Sequence, residues 1–233
     1  MKLTKFPTPE EMLNNEKETL RLLIHSRQIK TYFTQLHADA DNCFAKLNAT
    51  KLGKNPMELL NFESFMDIIV GSKERRVYLG GLISLDNKNV YKDVSYSLTI
   101  CNKTGPSKIL RRFHFDFDCD GVKSGSSNKP FFHIQYAGKM SPRMEAEGFS
   151  NDRHYHHINK ELSEPRIFFM PMSLLFLVYL ILKEIDKEHA DILEEPAWHK
   201  RMCENEQLIL KPFYNTCNNA LNQTDSILMD CYY

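Results

Sequence analysis

The sequence predicts an α+β fold, in which an antiparallel sheet of about four or five strands is flanked by helices, with a helical N-terminal arm and a helical C-terminal tail. The first observation is a change of period from helical spacing to strict alternation, which places Phe113, Phe115 and Phe117 on one strand face. The second is the short turns between the alternating segments, which are typical of an antiparallel meander. The third is a late apolar segment, residues 171–187, that predicts a buried helix.

Helix-start signals mark the N-terminal arm. Residues 8–11, Thr-Pro-Glu-Glu, form a capping box with proline in the first turn, and helix formers continue to about residue 47. The same kind of signal recurs at residues 55–58, Asn-Pro-Met-Glu, and predicts a second helix that ends at Gly71. The arm is therefore expected to be helical throughout residues 1–72.

Alternation then predicts consecutive strands joined by turns, and a further short buried strand after a polar excursion over residues 141–164. The predicted strands are residues 75–85, 90–101, 108–118, 130–138 and 165–169. Residues 171–187 are apolar nearly all round, so we expect that helix to be buried on most sides. The tail contains short helical segments with few core residues, and it packs either on this domain or on another protein.

We expect residues 1–233 to form a single domain. Its parts are the arm (1–72), the sheet with the buried helix (73–190) and the tail (191–233).

Composition excludes several functional classes. Lys+Arg and Asp+Glu are 30 each, and this zero net charge argues against a dedicated nucleic-acid binder. The six cysteines form no CxxC pair, so neither a structural zinc site nor a disulfide framework is expected. The sequence contains no P-loop, GxGxxG or GxSxG motif, so we expect no cofactor. It also contains neither a signal peptide nor an apolar run of membrane-spanning length, which predicts a cytoplasmic protein without a membrane partner.

The polar faces of the third and fourth predicted strands carry the residue types of a metal site. His114, Asp116 and Asp118 share one face of the third strand, and His133 has the corresponding position on its neighbour. Two imidazoles and two carboxylates could bind Mn, Fe, Zn or Mg and activate a water for hydrolysis. The alternative is a solvated sheet face with cross-strand ion pairs, a pattern that half-exposed strands commonly show.

Other motifs are less specific. Residues 118–121, Asp-Cys-Asp-Gly, resemble the start of a calcium loop but lack its closing Glu, so a turn is the preferred interpretation. His154, His156 and His157 lie in the polar excursion and are expected to be exposed. A restriction-type nuclease would need an acid-x-Lys pattern on the fourth strand, where the sequence is His-Ile-Gln.

Basic residues are densest at two places in the predicted sheet. The candidates for contact with a nucleic-acid backbone are Arg75, Arg76, Arg111 and Arg112. Because the chain is neutral overall, we expect such contact to be secondary.

Three segments, HFDFD, KPFFHIQYAG and EPRIFFMPMSLLFLVYLILKEI, give residues 75–187 a layout that resembles the small accessory subunit of bacterial Lamassu-type defence systems. In those systems the subunit accompanies a structural-maintenance-of-chromosomes (SMC) ATPase and a nuclease subunit. The resemblance implies a non-catalytic interaction or regulatory subunit of a complex that acts on phage or plasmid DNA. Contact with DNA would then be indirect.

We therefore predict an interaction subunit that docks on larger proteins. Tyr32, Phe33 and Trp198 are the expected partner contacts, because aromatic residues are enriched at interfaces. Two alternatives stay open. One is a metal-dependent hydrolase or nuclease that uses the His and Asp residues of the sheet face, and the other is a toxin-like or antitoxin-like regulator.

Overall fold

The protein is organised around an antiparallel sheet whose strand order follows the chain. The computed structural model describes residues 6–53, 56–103, 109–117, 132–136, 140, 142–149 and 166–222. Within these residues the sheet has six strands, each paired with the next. They are β1 (Met57–Val70), β2 (Lys73–Leu85), β3 (Tyr91–Asn102), β4 (Ile109–Phe117), β5 (Phe132–Tyr136) and β6 (Arg166–Phe168). The predicted α+β class and antiparallel sheet are confirmed.

Helices precede and follow the sheet. They are α1 (Pro9–His25), α2 (Arg27–Tyr32), α3 (Thr34–Ala49), α4 (Pro142–Ala146), α5 (Leu174–Leu180), α6 (Pro196–Asn205) and α7 (Lys211–Asn222). Thr8 and Glu11 form the predicted capping box, with Thr8 N donating to Glu11 Oε2 at 2.7 Å. The predicted helical stretch to about residue 47 is divided into three helices, and Ser26 ends α1 and caps α2 by accepting from Ile29 N at 3.3 Å.

The helix predicted from residue 55 is also wrong, because Met57–Val70 forms strand β1. This strand pairs with β2 along its length, with a bulge between Glu58 and Leu60. After the bulge Phe62, Met66 and Ile68 are buried at every second residue. Long-range pairing to β2 thus outweighs the local helix-start signal. Gly71, predicted as a helix terminator, lies in the hairpin turn at φ 64°, a conformation that glycine adopts without strain.

Helices cover one face of the sheet, called here the helix-covered face. Leu174, Leu175, Leu177 and Ile181 have no exposed surface, which confirms that the late apolar segment is buried. The segment is an α-helix only to Leu180 and continues as a π-turn over Ile181–Ile185. One apolar cluster joins α1, α3, α5 and strands β1–β4.

The C-terminal helices pack on the same core. Trp198 in α6 and Ile209 in the π-turn Glu206–Leu210 belong to the main apolar cluster. Phe213 in α7 packs edge-to-face on Phe132 of β5, with ring centroids 5.7 Å apart. The described part of the tail therefore packs on its own chain. No helix among the described residues is long and apolar enough to cross a membrane.

A buried polar cluster joins α1, α6 and β3. Tyr96 donates its hydroxyl hydrogen to Glu16 Oε1 at 2.9 Å, and Arg201 Nη2 donates to the Asn15 carbonyl at 2.9 Å. Burial raises the pKa of Glu16 to about 7, although Tyr96, Arg201, Asn15 and the Leu174 backbone act to lower it. This carboxyl group therefore titrates near neutral pH inside the core.

Candidate functional site

The second face of the sheet, called here the polar face, carries rows of polar side chains that the strand register aligns. One row crosses five strands and consists of Glu63, Gly80, Ser97, His114 and Gln135. The next row consists of Asn61, Leu82, Ser95, Asp116 and His133. Because side chains alternate between faces, both rows lie opposite the helices.

The structure brings three of the predicted metal-site residues together on this face. Asp116 lies directly opposite His133, with Oδ2 3.8 Å from Nε2, and His133 is buried. His114 Nε2 lies 3.4 Å from Arg112 Nη2. Since a guanidinium only donates, this contact favours the His114 tautomer with its proton on Nδ1. Asp118 lies outside the described residues.

A groove of about 470 Å³ opens over these rows. Its lining includes Ser95, Ser97, His114, Asp116 and Gln135, with Glu63 on the β1 side and Met140 and Pro142 at the rim. A volume of this size lies in the range of about 300–1,000 Å³ that is typical of ligand pockets.

The floor of the groove is tightly packed. A Cβ added at Gly80 would lie 2.8 Å from Ser97 Oγ, so only glycine fits there without displacing the serine. Gln135 is only 8% exposed, and no hydrogen bond joins its side-chain amide to the rest of the described chain. The amide atoms of Gln135 are not among the buried side-chain atoms that lack a partner, so the amide is open to the groove, where a bound group could hydrogen-bond to it.

Helix α4 forms one wall through a cluster of ion pairs. Arg143 Nη1 binds Asp39 Oδ2 of α3 at 2.7 Å, and its backbone amide donates to Glu63 Oε2 at 3.0 Å. The guanidinium carbons of Arg143 and Arg76 lie 4.9 and 4.0 Å from the centroid of the Phe65 ring. Burial raises the pKa of Glu63, and the contacts with Arg143 only partly offset this. The wall is thus tied to both α3 and β1.

The described chain does not group three or more His, Cys, Asp or Glu side chains as ligands for a metal ion. Asp116 and His133 are of a suitable type for such a site, but the fourth predicted ligand, Asp118, is outside the described residues. The calcium-like segment 118–121 and His154, His156 and His157 also lie outside them. The metal site therefore stays a prediction.

The four arginines proposed for nucleic-acid contact do not form one surface. Arg76 is bound to Asp67 at 2.7 Å, and Arg112 is only 1% exposed on the same polar face. Arg75 and Arg111 lie at positions of the opposite face, and Arg111 is exposed. Burial acts to raise the pKa of Asp67, but Arg76 and Lys103 outweigh it and lower that pKa. Alternation along each strand places the adjacent arginines on opposite faces, and their contact with a nucleic-acid backbone stays a prediction.

Two of the three predicted partner contacts are buried. Trp198 and Phe33 are 2% and 3% exposed and belong to the main apolar cluster. Only Tyr32 is exposed, and its ring lies 4.6 Å from the His189 ring. Trp198 and Phe33 therefore pack in the core of their own chain, and a role in partner contact stays a prediction.

Sequence reasoning missed the β1 and β3 contributions to the groove. Asn61 and Glu63 were assigned to a helix, although residues 60–68 alternate in a way that could have identified a strand. Ser95 and Ser97 gave no signal beyond their position on the polar side of a predicted strand.

No family model, curated protein or solved structure matches the chain. The geometry of the polar face is therefore the basis for assigning a function.

Proposed function

We propose that this chain is a non-catalytic interaction subunit that binds a larger protein through the groove of its polar face. The observation that carries the proposal is the side-chain amide of Gln135, which lines a groove of about 470 Å³ and makes no hydrogen bond within the described chain. Side chains of a partner that enter this groove would meet Gln135, His114 and Asp116 as hydrogen-bonding groups.

The packing of the helices supports this choice of surface. The described N-terminal and C-terminal helices bury their apolar residues against the sheet of the same chain. Among the described residues, the polar face is covered by α4 and by a small cluster around Tyr78, Met140, Met144 and Phe149. The separation of the four arginines favours a protein partner over direct contact with a nucleic-acid backbone.

We further propose that the partners are the larger subunits of an SMC-containing bacterial defence complex. The support is the Lamassu-like layout of residues 75–187, together with the neutral composition and the lack of a nucleotide-binding motif. In such a complex the chain would contact an SMC-type ATPase or a nuclease subunit, and its contact with phage or plasmid DNA would be indirect.

The test is co-expression of the full chain with the products of its neighbouring genes, followed by size-exclusion chromatography. We expect a stable complex with the wild-type chain. Ser97→Trp fills the groove from its floor and is expected to abolish the complex. Tyr214→Ala removes an aromatic residue that is 55% exposed on α7, outside the groove, and is expected to leave the complex intact. Thermal unfolding of both variants checks that they are folded.

Two outcomes contradict the proposal. One is a folded Ser97→Trp variant that still forms the complex. The other is a wild-type monomer that ignores these partners and cleaves DNA with added Mg or Mn.

The cross-strand register of Asp116 with His133, next to His114, favours one alternative, a metal-dependent hydrolase. Elemental analysis of the purified protein tests it. About one bound metal per chain, lost in both His114→Ala and His133→Ala, would support the hydrolase over the interaction subunit.

A further inference from the structure

A second groove, of about 680 Å³, runs between helix α3 and the outer edge of strand β1. It adjoins the groove of the polar face and shares with it Glu58, Asn61, Phe62, Glu63 and Pro142. Its lining from helix α3 and the residue that follows it consists of Asp39, Asn42, Cys43, Lys46, Leu47 and Thr50, and its lining from β1 consists of Glu58, Leu59, Asn61, Phe62 and Glu63. Burial raises the pKa of the Cys43 thiol to about 12, so this thiol stays protonated and is a poor nucleophile. The groove is therefore suited to binding and not to thiol chemistry.

The edge of β1 in this groove carries free backbone groups. Within the described residues, one hydrogen bond reaches this edge from outside the strand, from Arg143 Nη1 to the Glu63 carbonyl at 3.3 Å. This bond shows that the Glu63 carbonyl points away from β2. Alternation in an antiparallel pair then directs the amide and carbonyl of Asn61 away from β2 as well. The edge is free over residues 57–62, and the Arg143 side chain contacts it at the Glu63 carbonyl.

The charges along the groove favour a basic occupant. Asp39, Glu58 and Glu63 line it, against Lys46 as the basic residue of the lining. Arg143 already binds Asp39, whereas Glu58 is exposed and accepts a hydrogen bond from Asn61 Nδ2 at 2.9 Å. The chain's own arginine thus shows how a guanidinium is held at this edge.

We propose that a basic, extended segment of a partner protein adds to the edge of β1 as a further antiparallel or parallel strand in this groove. This inference rests on the proposed function, because it assigns the mode by which the interaction subunit is bound. A groove between a helix and an open edge strand is the usual setting for strand addition, in which backbone hydrogen bonds provide affinity and alternate side chains provide specificity. Alternate Lys or Arg residues of the segment would reach Glu58 and Glu63.

The chain offers a variant that blocks strand addition without disturbing the sheet. Asn61→Pro removes an outward-facing amide hydrogen, while the ladder between β1 and β2 uses other groups. Asn61→Ala keeps the amide and is the matched control. Glu58→Lys reverses the charge at the groove, and Glu184→Lys makes the same change at an exposed position remote from it.

The probes are three fluorescein-labelled heptapeptides. All three have Thr or Val at every second position, and they differ at the remaining positions, which are all Lys in the first peptide, all Gln in the second and all Glu in the third. Anisotropy with the full chain is expected to give the tightest binding for the Lys peptide and the weakest for the Glu peptide. Binding of the Lys peptide should fall about tenfold or more in Asn61→Pro and Glu58→Lys and stay unchanged in Glu184→Lys. It should fall much less in Asn61→Ala than in Asn61→Pro, because Asn61→Ala keeps the backbone amide hydrogen. In the co-expressed complex, Asn61→Pro should likewise release the partner.

Three results overturn the inference. The first is that the Lys peptide binds no better than the Glu peptide. The second is that a folded Asn61→Pro variant binds the Lys peptide as tightly as the wild type does. The third is a concentration-dependent dimer of the free chain that Asn61→Pro abolishes, which would make a second copy the occupant. A partner complex that is lost in Ser97→Trp but intact in Asn61→Pro would leave the proposed function standing and refute strand addition alone.

Discussion

Replacing Glu16 with Gln should remove a pH dependence of stability that the buried carboxyl imposes. Glu16 is fully buried, and its pKa is raised from 4.5 to about 7, first by burial. Because the folded state holds the proton more tightly than the unfolded state, this group stabilises the fold at low pH. That stabilisation is lost as the pH rises from about 4.5 through 7.

The magnitude follows from the two pKa values. With a folded pKa of about 7 and an unfolded pKa of 4.5, the wild-type chain should lose about 2.5 kcal/mol of unfolding free energy between pH 5 and pH 8 from this group. Glu16→Gln cannot titrate at this position. Relative to the wild type, the variant should therefore gain about 2.5 kcal/mol in unfolding free energy between pH 5 and pH 8.

Urea unfolding at several pH values measures this shift. Trp198 is the one tryptophan of the sequence and is buried, so its fluorescence reports the unfolding of the core. Glu10→Gln, at an exposed position of the same helix, is the control and should give a difference that does not depend on pH. A Glu16→Gln difference that is equal at pH 5 and pH 8 would refute a raised pKa at Glu16.

Three further substitutions test the packing. Leu177→Ala in the fully buried part of α5 should cost about 2–5 kcal/mol in urea unfolding, and a loss below 1 kcal/mol would contradict its burial. Gly71 has a positive φ, so Gly71→Ala should lower the free energy of unfolding by about 1–2 kcal/mol and Gly71→Asn should lower it by less. Equal losses for the two variants would contradict this explanation. Gly80→Ala should cost about 1–3 kcal/mol, and adding Ser97→Ala should restore much of it because the contacting hydroxyl is removed. A double variant that is no more stable than Gly80→Ala would exclude this contact as the cause.

Alternation allowed much of the sheet to be predicted. The polar and apolar faces of β4 and β5 follow from a period of two, and the structure places His114, Asp116 and His133 on one face as expected. The buried helix was predictable because a segment that is apolar all round can only be stable inside the protein.

The remaining features depend on contacts that local patterns do not specify. The Asn-Pro-Met-Glu signal before β1 is a good helix start, but thirteen-residue pairing with β2 decides the conformation. Trp198 lies in a segment with few apolar residues, and only its position on the completed core explains its burial. The groove at Gln135 needs the register of five strands, which no single strand sequence gives.

The most direct test of the central claim is the dissociation constant of the complex between this chain and its co-expressed partner, measured by isothermal titration. The account predicts that Gln135→Ala and His114→Ala each weaken binding about fivefold or more, because both side chains lie in the groove of the polar face. Tyr214→Ala, outside the groove, should leave the constant unchanged. Equal dissociation constants for wild type and for both folded groove variants would contradict the claim that the polar face binds the partner.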